Sequence, residues 1–410
     1  MAVDYDIVVV GAGMVGGSVA ALLSRAGFSV AVIEASEPAP FDLDGDYGLR
    51  VSAISPGSCS ILAEAGAWRI IEQQRTCPYT EMEICEQGGD DLLRFIAADH
   101  GLDQLGSIIE NDLIQAALWQ VLQTGFADLY CPARLTGLEQ LDGEVRIALD
   151  DGRQLNTPLL VAADGAASVV RGFTTIEQEI WEYNQRGLVS VITTENGNPG
   201  IAWQRFLDTG PLAFLPLVDG RSSIVWTLPT GRAEELLASD DDQFLAALNE
   251  AADQRFGEVL SCGPRGAFPL TMRLSRRYVD QQVVLLGDAA HVVHPLAGQG
   301  VNLGLQDAAA LVEVLLNAKA RQQAYNGAKA LRRFERWRRS DNALMAGGIH
   351  GIQQLYSLLP GPVKFIRRAG SRLVDNSWLI KSRFLQRATG QHTDAPRLAR
   401  GELLRELVQG

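Results

Sequence analysis

No apolar run in the 410 residues reaches the ~18 needed to cross a bilayer, so a spanning helix is not expected. The N-terminal MAVDYD is acidic and lacks the basic and apolar regions of a secretory signal, which points to a cytoplasmic protein. The five cysteines (Cys59, Cys77, Cys85, Cys131, Cys262) form no CxxC pair and no metal-ligand spacing. They read as reduced thiols used mostly for packing, and no metal is expected. Internal repeats and low-complexity tracts are missing, and with them the case for a solenoid or a disordered chain. Positive charge is also short. The net charge of −13 argues against a nucleic-acid partner. Its distribution is uneven, however. Residues 319–387 hold 15 Lys/Arg against Glu335, Asp341 and Asp375, a net +12, while the first 318 residues carry −25 and the last 23 balance. The basic segment either meets an anionic surface such as a membrane or faces solvent and the chain's own acidic part.

What is present is a clear order of elements. Tyr5–Val10 is a short apolar strand, GAGMVGG interrupts it, Ser18–Ala26 has the Ala/Leu pattern of a buried helix, Gly27 suits its C-terminal cap, and Ser29–Ala35 is a second strand: a βαβ unit. Ile108–Leu122 reads as a helix. Two strands lie near Leu138–Leu149, and Leu159–Ala162 is another, buried and ending in ADGA. Leu188–Thr194, Ala213–Pro216 and Ser223–Leu228 read as strands of a sheet, and Asp240–Phe256 as a helix. From Leu305 onward the chain reads as helical, with a break at LLPGP. The expected architecture is therefore α/β. A Rossmann-like nucleotide-binding domain (1–75, 106–175, 271–340) carries an inserted β-sheet domain (76–105, 176–270) and a helical C-terminal segment (341–410).

Gly11-Ala12-Gly13-Met14-Val15-Gly16 is a G-x-G-x-x-G between a strand and a helix. Gly11 permits the turn, Gly13 lets a pyrophosphate approach, and Gly16 lets the helix pack on the strand. The helix N-terminus offers free N–H groups and partial positive charge. Glu34, 23 residues after Gly11 at the end of the second strand, is placed to accept ribose hydroxyls. This fingerprint suits NAD and FAD equally. A second stretch, VVLLGDAAHVVHPLAGQGVNLGLQDAAAL (Val283–Leu311), sets Gly287-Asp288 at the end of an apolar strand. Gly298, Gly300 and Gly304 follow. A carboxylate at a strand tip among glycines implies a ligand lying against bare backbone.

These motifs resemble the aromatic-ring flavin monooxygenases of the p-hydroxybenzoate hydroxylase fold, and over nearly the whole chain to about Gly390 the ubiquinone-biosynthesis FAD hydroxylases among them. The residues that carry the resemblance are LRVSAIS (Leu49–Ser55), IENDLIQAALW (Ile109–Trp119), WQRF (Trp203–Phe206), LAFLPL (Leu212–Leu217), FPLTMR (Phe268–Arg273) and GDAAHVVHPLAGQGVNLG. The resemblance implies that Asp288 meets the ribityl chain and that Pro295–Gly300, with Val301 and Asn302, runs beside the flavin ring. It implies that Arg50 reaches the flavin region and that Asn111 is a cofactor contact. In VAADGAASVVR it implies that Asp164 and Gly165 serve both FAD and the reduced nicotinamide. Ala167 departs from the Asn often found there. Arg50 and Pro295 are the residues assigned to the reaction itself. His291 and His294 are more readily loop histidines bonded to backbone than proton carriers, and Arg205 is read as either a substrate-domain contact or part of an amphipathic strand.

By the same resemblance, NADPH or NADH reduces FAD, and one oxygen atom of O2 passes, through a C4a-hydroperoxyflavin, to a polyprenylated phenol or quinol. Lys364, Arg367, Arg368 and Arg372 would dock a peripheral membrane surface. A multi-enzyme ubiquinone-biosynthesis complex is a further implied partner. Segments are shared with both the 2-polyprenylphenol and the demethoxyubiquinone hydroxylases, so the ring carbon stays open, as do oligomeric state and NADH against NADPH. The competing expectations are a flavin monooxygenase acting on a soluble aromatic compound and a non-catalytic FAD-binding scaffold. No Trp-x-Trp-x-Ile-Pro segment supports a halogenase.

Overall fold

The computed structural model describes residues 3–88, 92–293, 299–357 and 378–409. His294, Pro295 and Gly298, together with Lys364, Arg367, Arg368 and Arg372, lie outside the described residues. Among those described, no helix is long and apolar enough to cross a membrane.

The strand Ile7–Val10 (IVVV) is buried on both faces, as a β-branched run in a parallel sheet must be. It pairs in parallel with Val30–Ile33 on one side and Leu160–Ala162 on the other. Asp128–Tyr130 and Val283–Leu285 extend the layer to either side, and the antiparallel Val279–Asp280 closes one edge. The helices Met14–Arg25 and Gln299–Ala320 pack against this sheet, and its side chains form the main apolar core. The first helix begins at Met14, earlier than the apolar pattern alone suggested.

A nine-stranded, mostly antiparallel sheet makes the second body. It runs from His291–Val292 through Gly266–Ser275, Gln178–Thr194, Ser222–Pro229, Gly210–Pro216 and Ile201–Leu207 to Glu81–Glu86 and Leu92–Ile96, with Val259–Cys262 as a side branch. One face is sealed by the helices Thr230–Ala238 and Asp241–Ala252 over Trp203, Phe214, Ile224, Trp226, Phe244 and Phe256. Asp240 caps the second helix by accepting from Gln243 N at 2.8 Å.

The expected helix over Ile108–Leu122 is corrected. Gly106–Glu110 is a strand held between Val51–Ile54 and Cys77–Tyr79, and the helix spans Asn111–Val121. Ile108 and Ile109 are β-branched and gain partners on both edges, which outweighs their place in a helical apolar pattern.

The two sheets are joined where Gly287–Ala290 leaves the parallel layer. Val283–Leu285 belongs to the parallel sheet, whereas His291 and Val292 pair with Leu274 and Arg273 of the antiparallel one. A cleft between the sheets is thus bordered by the Gly-Asp motif.

Candidate active site

The first turn is built for backbone contact. Gly11 has φ +95°, and a Cβ there would lie 2.5 Å from the Ala163 carbonyl oxygen. A Cβ on Gly16 would lie 1.9 Å from the Gly11 oxygen, so the helix could not seat against the strand. Gly13 is different, because no atom of the described residues lies within 4 Å of where its Cβ would be. That leaves open space in front of the helix N-terminus. Gly13 caps the helix without a side-chain hydrogen bond, so the first-turn N–H groups of Met14, Val15 and Gly16 are left to face it. Glu34 accepts from Ala12 N at 2.6 Å and from Ser36 N at 3.1 Å, which fixes its carboxylate beside the turn with lone pairs to spare.

The two glycine motifs interlock. Val15 packs so closely that a Cβ on Gly287 would stand 3.0 Å from its Cγ2, and one on Gly304 2.5 Å. Gly287 itself has φ +55°. Asp288 is exposed in a stretch whose neighbours on both sides are buried, at the junction of the two sheets. Crowding by protein around it pushes its pKa up, with His291 and Arg50 pulling the other way.

Arg50 approaches from the opposite wall. Its guanidinium lies 5.4 Å from the Phe268 ring centroid on the large sheet, and its carbonyl accepts from Asn111 N at 3.0 Å. The Asn111 side chain accepts from Ser52 Oγ at 2.6 Å. Asn302 is buried, with Oδ1 accepting from Ser55 N at 2.9 Å and Nδ2 donating to the Ala53 carbonyl at 2.9 Å, so its side chain braces the Val51–Ile54 strand. Asp164 accepts from Val170 N at 3.1 Å, while its Oδ1 is buried without a partner among the described residues. Gly165 takes φ +82°. Arg171 holds this turn to the second motif, donating to the Ala289 carbonyl at 2.8 Å and to the Ala166 carbonyl at 2.9 Å. Burial lowers its pKa; Asp164 opposes that and Arg273 adds to it.

Two histidine and arginine expectations change. His291 does not bond to backbone. Its Nε2 lies 2.6 Å from Asp307 Oδ2, fully buried. Arg205 caps the Asp241–Ala252 helix, donating to the Ala251 carbonyl at 3.0 Å and pairing with Asp253 at 2.9 Å, because its strand position faces that helix. Sequence reasoning missed Asp307, Arg338 and Asn342, which form a buried polar cluster behind Gly287. The signal was a single acid, Asp307, beside Gln306 in the mostly apolar helical stretch LGLQDAAALV.

An open glycine turn with its acid, tied through Val15 to a Gly-Asp crossover between a parallel and an antiparallel sheet, defines an FAD-binding monooxygenase of the p-hydroxybenzoate hydroxylase type. The family model described as "FAD binding domain" matches residues 4–338. The chain is 37% identical over 386 residues to the 3-demethoxyubiquinol 3-hydroxylase of Escherichia coli strain K12, covering 94% of this chain and 98% of that one. It is 35% identical over 401 residues to the ubiquinone hydroxylase UbiL of Rhodospirillum rubrum, covering 97% and 92%. The p-nitrophenol 4-monooxygenase PnpA of Pseudomonas putida DLL-E4 shares its fold, with a TM-score of 0.75 at 18% identity over 96% of this chain and all of that one. The chain belongs to the ubiquinone-biosynthesis FAD-dependent hydroxylases. FAD is its cofactor, and NADH or NADPH is the co-substrate typical of the family.

Proposed function

We propose that this protein hydroxylates the aromatic ring of a polyprenylated phenol or quinol in ubiquinone biosynthesis. Residues 1–75, 106–175 and 271–340 would hold FAD, 76–105 and 176–270 would cover the substrate, and 341–410 would form the C-terminal segment. When bound, FAD supplies the reduction and the activation of O2. The residues that would hold it are Gly11, Gly13, Met14, Val15 and Gly16 at the pyrophosphate and Glu34 at the ribose. Asp164 and Gly165 would stand at the middle of the cofactor, Gly287 and Asp288 at the ribityl chain, and Arg50 at the ring edge. Gly300, Val301 and Asn302 would contribute backbone. Asn111 supports Arg50 through the backbone rather than by reaching out with its side chain.

The observation that carries this reading is the face of the large sheet turned away from its helices. Gly266, Val189, Val225, Ala213 and Gln204 stand in one cross-strand row. A Cβ on Gly266 would lie 3.1 Å from Leu49, next to Arg50, so the row begins at the flavin edge. Val225, Ala213 and Gln204 are only half-buried, and the side chains of the row, Gln204 apart, are apolar. Such a wall can press a phenol ring against the cofactor and keep water from the reacting atoms, while Arg50 steadies negative charge at the cleft mouth. A prenyl tail needs an apolar exit and a lipid source, which gives a peripheral membrane contact and membership of a multi-enzyme complex a use.

Expression in bacterial strains that each lack one ring hydroxylase, with quinone intermediates measured by mass spectrometry, tests the proposal. One strain should regain ubiquinone and lose its stalled intermediate, which also identifies the ring carbon. Recovery in none of them, with a yellow protein that oxidises NAD(P)H, would contradict the prenylated substrate.

A further inference from the structure

Behind the Gly-Asp crossover lies a polar cluster with no counterpart at the first glycine turn. Asp307 is fully buried on the long helix Gln299–Ala320. Its Oδ2 accepts from Gly287 N at 3.1 Å and faces His291 Nε2 at 2.6 Å. Its Oδ1 accepts from Arg338 Nε at 2.8 Å and from Asn342 Nδ2 at 3.0 Å. Arg338, also fully buried, donates to Asn342 Oδ1 at 2.9 Å and pairs with Asp341 at 2.8 Å. Asp341 in turn meets Arg387 of the C-terminal helix Trp378–Ala388 at 3.2 Å. Burial alone would raise the Asp307 pKa, but His291 and Arg338 outweigh it and hold the carboxylate ionised. With Asp307 accepting, the bonded proton sits on His291 Nε2, and Nδ1 has no hydrogen-bond partner among the described residues.

A buried ion pair is weak evidence for stability, since the desolvation of both groups offsets most of the attraction. Its more informative property here is what it touches. One Asp307 oxygen binds the N–H that opens the Gly287–Asp288 turn and also the side chain at the first residue beyond the crossover to the second sheet. A left-handed turn with an exposed acid is thereby pinned on both sides by one charge.

We propose that Asp307 is a positioning residue for FAD. It fixes the Gly287 N–H and the His291 ring, and so sets the direction in which Asp288 projects into the cleft. Arg338 and Asn342 fix Asp307 in turn. This rests on the reading, given above, that Asp288 meets the cofactor. Asp307 acts on FAD only through the Asp288 turn, so its removal and the removal of the Asp288 carboxylate are not independent.

The test uses the full-length apoprotein titrated with FAD and followed by flavin fluorescence, with the melting temperature of each apoprotein as the measure of folding. Asp288→Asn, Asp307→Asn and the double variant form a cycle. The expected result is at least a tenfold loss of FAD affinity in each single variant, and no further loss in the double variant beyond the weaker-binding single. A folded Asp307→Asn that binds FAD like the parent, or losses that multiply in the double variant, would overturn the positioning role while leaving the Asp288 assignment standing. Asp288→Asn with unchanged affinity would overturn the site reading itself, and the positioning role with it. Should Asp307→Asn fail to fold because Arg338 loses its counter-ion, Asp307→Asn with Arg338→Met removes both charges. That protein is expected to fold and still bind FAD at least tenfold more weakly; parental affinity in it would overturn the proposal.

Discussion

At Gly11–Gly16 the chain exposes bare backbone; at Gly287–Asp288 it exposes a carboxylate on a turn held from behind by Asp307, His291, Arg338 and Asn342. The first turn takes its shape from glycines and a helix start a few residues apart. The second takes its shape from His291, four positions after Gly287, and from Asp307, Arg338 and Asn342, 20 to 55 positions further along the chain. The difference follows from where each turn sits. The first closes within a single βαβ unit, whereas the second carries the chain from one sheet into another and needs an anchor outside both.

The largest effect should come from breaking the first turn. Gly16→Val would drive side-chain carbons into the Gly11 backbone, where even a Cβ stands at 1.9 Å. A destabilisation of about 3 kcal/mol or more and a colourless protein are expected, read by thermal melting and flavin absorbance. Gly13→Ala should separate the two quantities, because its Cβ meets no atom of the described residues within 4 Å. The apoprotein should melt as the parent does, while FAD affinity falls by about tenfold or more, equivalent to about 1.4 kcal/mol. Gly304→Ala probes the joint between the turns. Its Cβ would stand 2.5 Å from Val15 Cγ2 and 3.2 Å from Gly287 Cα. A cost of about 1–2 kcal/mol is expected with a loss of FAD affinity, since both turns must shift. Parental FAD affinity in that variant would show that the turns act separately.

Outside the cleft, Arg205→Ala removes the cap on the Asp241–Ala252 helix and should cost about 1 kcal/mol with FAD affinity unchanged. The smallest effect concerns pH. Because crowding raises the Asp288 pKa in the folded protein, the folded state takes up its proton before the unfolded one does as pH falls. The apoprotein should therefore gain a little stability as pH drops through the raised value toward the ordinary carboxylate value of ~4, and lose it again as pH rises. Asp288→Asn should abolish this component and slightly stabilise the neutral apoprotein, opposite in sign to its effect on FAD. Melting curves of both apoproteins across pH would show whether the component exists.

Legibility in the sequence followed the same division. The βαβ unit, the need for glycine at 11 and 16, and the Gly-Asp strand end depend on short-range spacing, so they could be read directly. Ile108–Glu110 could not, because its strand character comes from two partners, one more than 50 positions upstream. Nor could the role of His291, whose partner Asp307 lies on a different element, the helix Gln299–Ala320. Arg205 was ambiguous for a related reason. Alternation put it on one face of a strand, but only the packed helix shows which face that is. The basic segment was partly resolved: Arg338 spends its charge on Asp307 inside the protein, and Arg387 pairs with Asp341 at the surface.

The central claim, that one sheet holds FAD while the other presses an aromatic ring against it, is tested most directly by isotope labelling. The purified protein with FAD, NADPH and a short-chain prenylphenol is turned over under 18O2, and the product is weighed by mass spectrometry. One labelled oxygen atom on the ring is the predicted result, falling sharply in Ala213→Phe, which fills the wall, with FAD still bound. Consumption of NADPH with hydrogen peroxide as the only oxygen product in the parent protein would contradict it.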